Sequence, residues 1–283
     1  DEATRRSLEI TRTICDGQRD GSLLSVLDHT VTAMGSRLLN DWVANPLTDI
    51  HLIQQRQEAV ATLLENDSLR ATIQSHLKQI YDMERLLARV STGRASPRDL
   101  SFIGKTLEQL PPLKSSLQNQ SSGLLQQLEE TLDVCEDLQT LIASALVDDC
   151  PLQIREGGII RPGFHQELDK ARELSHGGKQ WIASYQALEA EKTGIPNLKI
   201  GFNKVFGYYL ELTNAHKDKA PDYFIRKQTL KNAERYITPE LKEHEEDVLS
   251  SNELAQDLEH QVFIELRDSV HEQATRLQNT ARV

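Results

Sequence analysis

Aromatic residues are scarce in this chain of 283 residues: two Trp, six Tyr and six Phe make up 5% of it. Hydrophobic residues total 38%, a little under the usual share even after glycine is added. That is too much apolar material for a disordered chain and thin for one compact ball, so an elongated helical shape is expected. Cysteine is scarcer still. Cys15, Cys135 and Cys150 are odd in number, far apart and in no C-x-x-C pair. This argues against a disulfide framework or a structural zinc site, and for reduced thiols. No H-E-x-x-H or other ligand spacing links the nine histidines. No hydrophobic run approaches the roughly 18 residues needed to span a bilayer, and no signal-peptide pattern opens the chain. An initial Met is missing too: the start at Asp1-Glu2-Ala3 is what a piece excised from something longer would show.

Positive charge is in deficit overall. Lys and Arg number 32 against 43 Asp and Glu, a net charge of −11, which argues against coating nucleic acid along the whole surface. The deficit is uneven. Between Gly194 and Tyr236, Lys199, Lys204, Lys217, Lys219, Arg226, Lys227, Lys231 and Arg235 face only Glu211, Asp218, Asp222 and Glu234. That stretch carries +4, which leaves −15 for the rest of a chain at −11. It also holds Phe202, Phe206, Tyr208, Tyr209, Tyr223, Phe224 and Tyr236, half of all the aromatics. A basic, aromatic module is set into an acidic protein.

Its surroundings read as helix. Asp49 is placed to cap a helix bearing Leu52, Ile53, Val60, Leu63 and Leu64, with Pro46 helping to end the preceding segment from Gly35 to Asn45. Ser96-Pro97-Arg98-Asp99 is a capping hydroxyl, a proline at the first position and a carboxylate three residues after the cap. The helix it opens is expected to end at Pro111-Pro112. Two more helices follow a Ser/Gln-rich turn, around Leu124–Leu132 and Leu138–Val147. Ile154 to Ile160 suggests a short hairpin turning on Gly157-Gly158.

Two long helices bracket the basic module. The first runs from about Phe164 to Thr193, ends on Gly194 with Pro196 beyond, and should be weakened or kinked at Gly177-Gly178. The second starts at Thr238-Pro239 with Glu240 in its first turn, and Leu254, Leu258, Val262, Leu266 and Val270 recur every four residues as an apolar stripe. At about 1.5 Å per residue they would span roughly 45 Å and over 60 Å, an antiparallel stalk with the module at its tip. The tip reads as strands. Leu198, Ile200 and Phe202 alternate with polar or small residues, Phe206, Tyr208, Leu210 and Leu212 do the same, and Asn203-Lys204 suits a tight turn. A third run from Phe224 to Leu230 alternates less cleanly and bears Arg226-Lys227. A small antiparallel sheet follows.

A basic sheet with interleaved aromatics fits phosphate-backbone binding, because Lys and Arg neutralise phosphates and release counterions. Arg226, Lys227, Lys231 and Arg235 cluster and are the first candidates. Lys217 and Lys219 flank Asp218 in a loop and suit a solubility role. Phe202, Phe206 and Tyr208 also suit a miniature core for the tip, and the lysines also suit an ordinary solvated face. Gly104-Lys105-Thr106 lacks the second glycine of a P-loop, whose position is Asp99. Glu245-Glu246-Asp247 reads as a solvated helix face. No catalytic constellation is found, so no enzymatic activity is expected of this stretch.

The run Leu198-Lys199-Ile200-Gly201-Phe202-Asn203-Lys204-Val205-Phe206-Gly207-Tyr208-Tyr209 closely resembles the clamp hairpin of the MutS DNA mismatch-repair family. Gln228 to Tyr236, followed by Thr238-Pro239-Glu240-Leu241-Lys242, is similar to the segment that re-enters that family's long helix. Thr4 to Ile10, Thr32 to Leu39, and Gly157 to Gly163 look like the opening of its helical core and the turn into its first stalk helix. The resemblance implies a mainly α fold: an elongated lever with a small antiparallel β clamp at the tip of two long antiparallel helices. It implies a lever at 1–163, a clamp at 164–250 with its sheet at 197–237, and a return of the helix at 251–283. It implies contact with the backbone of double-stranded DNA, without sequence reading, through Lys199, Asn203, Lys204, Arg226, Lys227, Lys231, Asn232 and Arg235.

By the same resemblance, the Phe-x-Glu mismatch reader and the ATP- and Mg-binding ATPase lie outside this chain, which holds no cofactor itself. Other MutS domains and a second MutS subunit would be its partners, with no membrane, in a bacterial-type cytoplasm at the nucleoid. Two rival readings remain: a mechanical or protein-interaction element, and a MutS-like relative acting in recombination.

Overall fold

A computed structural model describes residues 2–203 and 205–283. Nine helices lead the described chain: α1 (Glu2–Ser7), α2 (Leu23–Leu27), α3 (Ala33–Ala44), α4 (Ile50–Glu65), α5 (Asp67–Leu77), α6 (Met83–Ser91), α7 (Pro97–Ser116), α8 (Gly123–Thr131) and α9 (Glu136–Ala145). Then come α10 (Gln166–Thr193), strands β1 (Lys199–Asn203), β2 (Gly207–Thr213), β3 (Ile225–Thr229) and β4 (Ala233–Ile237), and helices α11 (Pro239–Glu272) and α12 (Ala274–Arg282). The fold is mainly α with one small antiparallel sheet. It divides into a unit of Asp1–Arg161 with Phe263–Val283 and a unit of Pro162–Val262. Among the described residues no helix is long and apolar enough to cross a membrane.

In the first unit α7 is the central helix, packed on α5, α6 and α9. Leu100, Ile103 and Leu107 are fully buried along it. Its start is the expected capping box, with the Ser96 side chain accepting from the Asp99 N–H and the Asp99 carboxylate accepting from the Ser96 N–H. The helix does not end at Pro111-Pro112; it continues to Ser116. Two prolines remove two backbone bonds, but Leu110, Leu113 and Leu117 stay buried on the same face, and Lys114 Nζ donates to the Leu132 carbonyl at 2.8 Å. The Gly104-Lys105-Thr106 motif lies in mid-helix. An added Cβ on Gly104 would come within 2.8 Å of Ile142 Cγ2, and Thr106 Oγ1 accepts from the Tyr81 N–H at 3.1 Å. Packing accounts for it.

The hairpin expected over 154–160 does not form. Ile154–Glu156 is a 3-10 turn, and Ile160 bridges antiparallel to Leu146 instead. Ile159 and Ile160 are both fully buried, and their backbone pairs with the end of α9 and the residues after it, Val147 N–H donating to the Ile159 carbonyl at 3.0 Å. Asp49 caps α4 through the His51 and Leu52 N–H groups, as its spacing predicts.

The last helix, α12, is tied to the start of α9. Arg276 bonds both carboxylates of Asp133 and Asp137, at 2.9 Å to the latter, and Leu277 is fully buried. The guanidinium holds the Asp133 carboxyl down at about 2, the largest cause being the hydrogen bond itself. A depressed folded pKa stabilises above the unfolded value near 3.9 and is lost as pH falls through the folded one. Asp133 is 43% exposed, so screening trims the contribution to about 1 kcal/mol. Arg276→Ala should therefore lower the urea midpoint near neutral pH. Its gap from wild type should close as pH is lowered from about 4 toward 2; a gap constant with pH would refute the assignment.

The second unit is built on α10 and the α11 segment up to Val262, running antiparallel. Arg172 pairs with buried Glu259 at 2.7 Å, Ser175 meets Asn252, and Trp181 lies on His244 with ring centroids 3.9 Å apart. His165 caps α10, and Gly194 ends it with φ +63. Gly177-Gly178 does not interrupt this helix. A Cβ on Gly178 would lie 2.5 Å from Val248 Cγ2, so the glycine is where α11 comes closest. α11 stops at Glu272, 34 residues or about 51 Å, shorter than the sequence suggests, because the chain turns at Gln273 before α12. The four-residue stripe also drifts. Leu254 is 51% exposed, while Val262, Leu266 and Val270 are buried. Steps of four residues advance about 40° too far at each turn, so five of them cannot share one face.

Candidate nucleic-acid interface

The sheet order is β1-β2-β4-β3, all antiparallel. One face is the miniature core: Leu198, Leu210, Leu212, Phe224 and Tyr236 pack with Tyr185 and Ile195, and Trp181, Ile200 and Tyr208 join them. Three polar anchors fix this sheet to its helices. Tyr185 and Thr238 share a hydroxyl bond of 2.7 Å, and the Thr238 side chain also caps α11 by accepting from the Leu241 N–H. Tyr223 donates to buried Glu189 at 2.7 Å, which with burial pushes the phenol up to about 12. Glu245 accepts from the Tyr208 N–H at 2.8 Å and pairs with Lys242 at 2.6 Å. Glu245 is only 5% exposed, so the first of three acidic residues read as a solvated face instead holds the β1–β2 hairpin. Spacing gave no warning, since its neighbours Glu246 and Asp247 are exposed.

On the opposite face Tyr209, Glu211 and Arg235 are packed and bonded to one another. Register pairs Gly201 with Tyr209, Lys199 with Glu211, and Glu211 with Arg235. The Tyr209 ring lies against Gly201, where a Cβ would come within 2.7 Å of it. Arg235 covers that ring at 4.3 Å and bonds Glu211 at 2.9 Å and Gln228 at 3.0 Å. At 20% side-chain exposure it is a built-in part of the face.

The eight candidate residues are therefore scattered. Lys199 is exposed on β1, on the face of Glu211, and Asn203 ends that strand with Oδ1 accepting from the Val205 N–H at 2.8 Å. Lys204 lies outside the described residues; Asn203, expected to share a two-residue turn with it, is instead the last residue of β1, opposite Gly207, so the connection is longer than two residues. Lys231 and Asn232 form the β3–β4 turn, which is at the other end of the sheet because β3, β4 and the end of β2 meet there. β4 was not expected as a strand; its alternation is broken by Glu234, which is buried. Lys227 is the extra residue of a β-bulge, between Arg226 opposite Tyr236 and Gln228 opposite Arg235. That bulge explains why the third run alternates imperfectly. Arg226 reaches Glu234 at 3.4 Å and is 62% exposed.

Glu234 also takes the Tyr236 hydroxyl. That bond, with Arg226 and Lys217 nearby, holds its carboxyl below the ordinary range, while burial and Glu234 push Tyr236 up to about 12. Of the three aromatics considered for a core, Tyr208 joins it, Phe206 lies beside Tyr209, and Phe202 is 48% exposed. Among the described residues, Lys199, Lys217, Lys227 and Lys231 make no side-chain ion pair.

These features define a class: a mainly helical domain in which a pair of long helices carries a small antiparallel sheet with exposed cations at its rim. A family model described as MutS domain III matches residues 3–283, and the chain belongs to that family. It is 54% identical over 281 residues to the DNA mismatch repair protein MutS of Rhodopirellula baltica, covering 99% of this chain and 32% of that protein. The proteins of the same name from Symbiobacterium thermophilum and Halothermothrix orenii are 47% and 46% identical over the whole chain, again 32% of each. The chain thus spans about a third of the length of the curated relatives it matches.

Proposed function

We propose that the chain is the lever and clamp of a mismatch-repair protein, its sheet closing on duplex DNA through the phosphate backbone without reading sequence. The observation behind this reading is the +4 stretch in a chain of −11, whose unpaired Lys227 and Lys231 sit on a bulge and a turn of a well-anchored sheet. Cations already paired internally must give up a partner to meet phosphate; unpaired ones release only counterions. Lys227, Lys231 and Asn232 are thus the principal contacts, Arg226 an accessory one, and Arg235 a support for the sheet. The helices transmit the clamp's state to the rest of the longer polypeptide, where ATP and Mg would act. This chain itself is non-catalytic, and it works in the cytoplasm with a second subunit. The names of the relatives favour repair over recombination.

Binding should be weak, since the body is acidic, and steeply salt-dependent, with a log–log slope of about −0.9 per phosphate contacted. Lys227→Glu with Lys231→Glu should weaken duplex binding roughly 60-fold or more at about 0.1 M NaCl and flatten the slope by nearly 2. Anisotropy titrations at several salt concentrations measure both. Unchanged affinity and slope in the double variant would rule the tip out as the contact.

A further inference from the structure

Lys217 and Lys219 are sequence neighbours in the 3-10 turn Asn214–Lys219, and the structure gives them different surroundings. Lys219 Nζ points to the carbonyl of Gly194, at 3.5 Å, the C-terminal cap of α10. A cation there complements the helix dipole and the last free carbonyls. Lys217 has no such partner.

The turn that bears Lys217 is fastened to the β3–β4 turn. Asn214 N–H donates to the Asn232 carbonyl at 3.2 Å, and Asn214 Nδ2 donates to the Lys231 carbonyl at 2.9 Å. Two bonds from one residue hold the two turns in a fixed relation. Glu234, in the strand that follows the β3–β4 turn, is buried and paired with Arg226, and the charge of Lys217 helps hold its carboxyl down. Arg226 and the Tyr236 hydroxyl already occupy Glu234, and Asp218 is the acidic neighbour of Lys217 in the turn. Arg226 and Lys217 are thus exposed cations near one already satisfied carboxylate, and the bonds from Asn214 bring the turn of Lys217 to the exposed turn residues Lys231 and Asn232.

Resting on the duplex-binding reading above, we infer that Lys217 is a further phosphate-binding residue, extending the β3–β4 turn into a row of cations set by Asn214. An anionic backbone with regularly spaced phosphates is the ligand such a row fits, since several charges held by backbone bonds meet it without further ordering. Lys219 stands outside the row.

The experiment is duplex binding by Lys217→Gln and Lys219→Gln, using a labelled duplex of arbitrary sequence across a salt series. Loss of one contact should weaken binding about eightfold near 0.1 M NaCl and reduce the slope by about 0.9 for Lys217→Gln. Lys219→Gln should leave the slope as it is. Thermal unfolding of Lys217→Gln should match wild type, so that its binding change is not a folding change, and Lys219→Gln should lose at most a few degrees with its cap of α10. If Lys217→Gln keeps the wild-type slope while Lys227→Glu with Lys231→Glu flattens it, this inference fails and the clamp reading stands. If neither alters the slope, both fail together. Equal losses in Lys217→Gln and Lys219→Gln would also overturn it, since general charge and not the row would then set affinity.

Discussion

Leu210→Ala should lower the unfolding midpoint of the 162–262 unit by roughly 12 °C or more and leave the other unit's midpoint in place. Leu210 is fully buried in the core that joins the sheet to α10 and α11, beside Tyr185, Leu212, Phe224 and Tyr236. Removing a buried leucine side chain costs about 3 kcal/mol, from lost transfer energy plus the cavity left behind. In a domain of this size, about 1 kcal/mol corresponds to roughly 4–8 °C. The core is small, and a four-stranded sheet of this kind has little independent stability to fall back on. The two tryptophans allow a clean measurement. Trp181 packs against this core, and Trp42 lies in the other unit. In a Trp42→Phe background, tryptophan fluorescence follows the sheet-bearing unit alone. A shift of under about 3 °C would show that the helices do not depend on this core.

Gly178→Val and Gly177→Ala should move the same unit's midpoint in opposite directions. At Gly178 a Cβ would stand 2.5 Å from Val248 Cγ2 and 3.3 Å from its Cβ. Val248 is buried and β-branched, so it has no free rotamer into which to withdraw. Overpacking of this kind costs about 1–3 kcal/mol, and the branched substituent takes it to the upper end. At Gly177 nothing lies within 4 Å, and the residue is in a helix interior. Alanine there should gain about 0.5–1 kcal/mol through helix propensity. The expected result is a fall of roughly 10 °C for the first variant and a rise of a few degrees for the second. Shifts of the same sign would mean that Gly178 is not the point of closest approach.

The adjacent glycines show how far the sequence could be read. As a pair they suggest a weak point in α10, because glycine is costly in a helix interior. That propensity is a local quantity. Only the neighbouring α11 makes one of the two indispensable, and nothing near Gly178 in sequence refers to Val248. Pro111-Pro112 teaches the same lesson from the other side, since the burial of Leu110, Leu113 and Leu117 carries the helix past a local stop signal. Where the signal and the packing agree, the reading succeeds. The Asp49 and Ser96 caps, the Gly194 terminus and the Thr238-Pro239 start all form as their residues dictate.

The cationic tip divides in the same way. Counting charges located it, and the motif around Gly201 and Tyr208 named its family. Yet Arg226, Lys227, Lys231 and Arg235, one cluster in sequence, become an exposed pair member, a bulge residue, a turn residue and a half-buried support. The distinction depends on strand register, and one extra residue in β3 is enough to change which side chains share a face. Glu245 escaped notice for a related reason: its role is to accept from the Tyr208 N–H, 37 residues away in sequence.

The resemblance of the hairpin motif pointed to the MutS family. Composition and local pattern by themselves determined that this protein is mainly helical and that a small basic sheet interrupts two long helices. Those properties follow from periodicity, caps and charge, which act over a few residues. The tertiary structure alone decided which cations are unpaired, which glycine is indispensable, and which carboxylates are buried as anchors. Such properties are set by partners tens of residues away, brought together by burial and register. A lysine's availability to phosphate depends on the carboxylates that folding brings within reach of it.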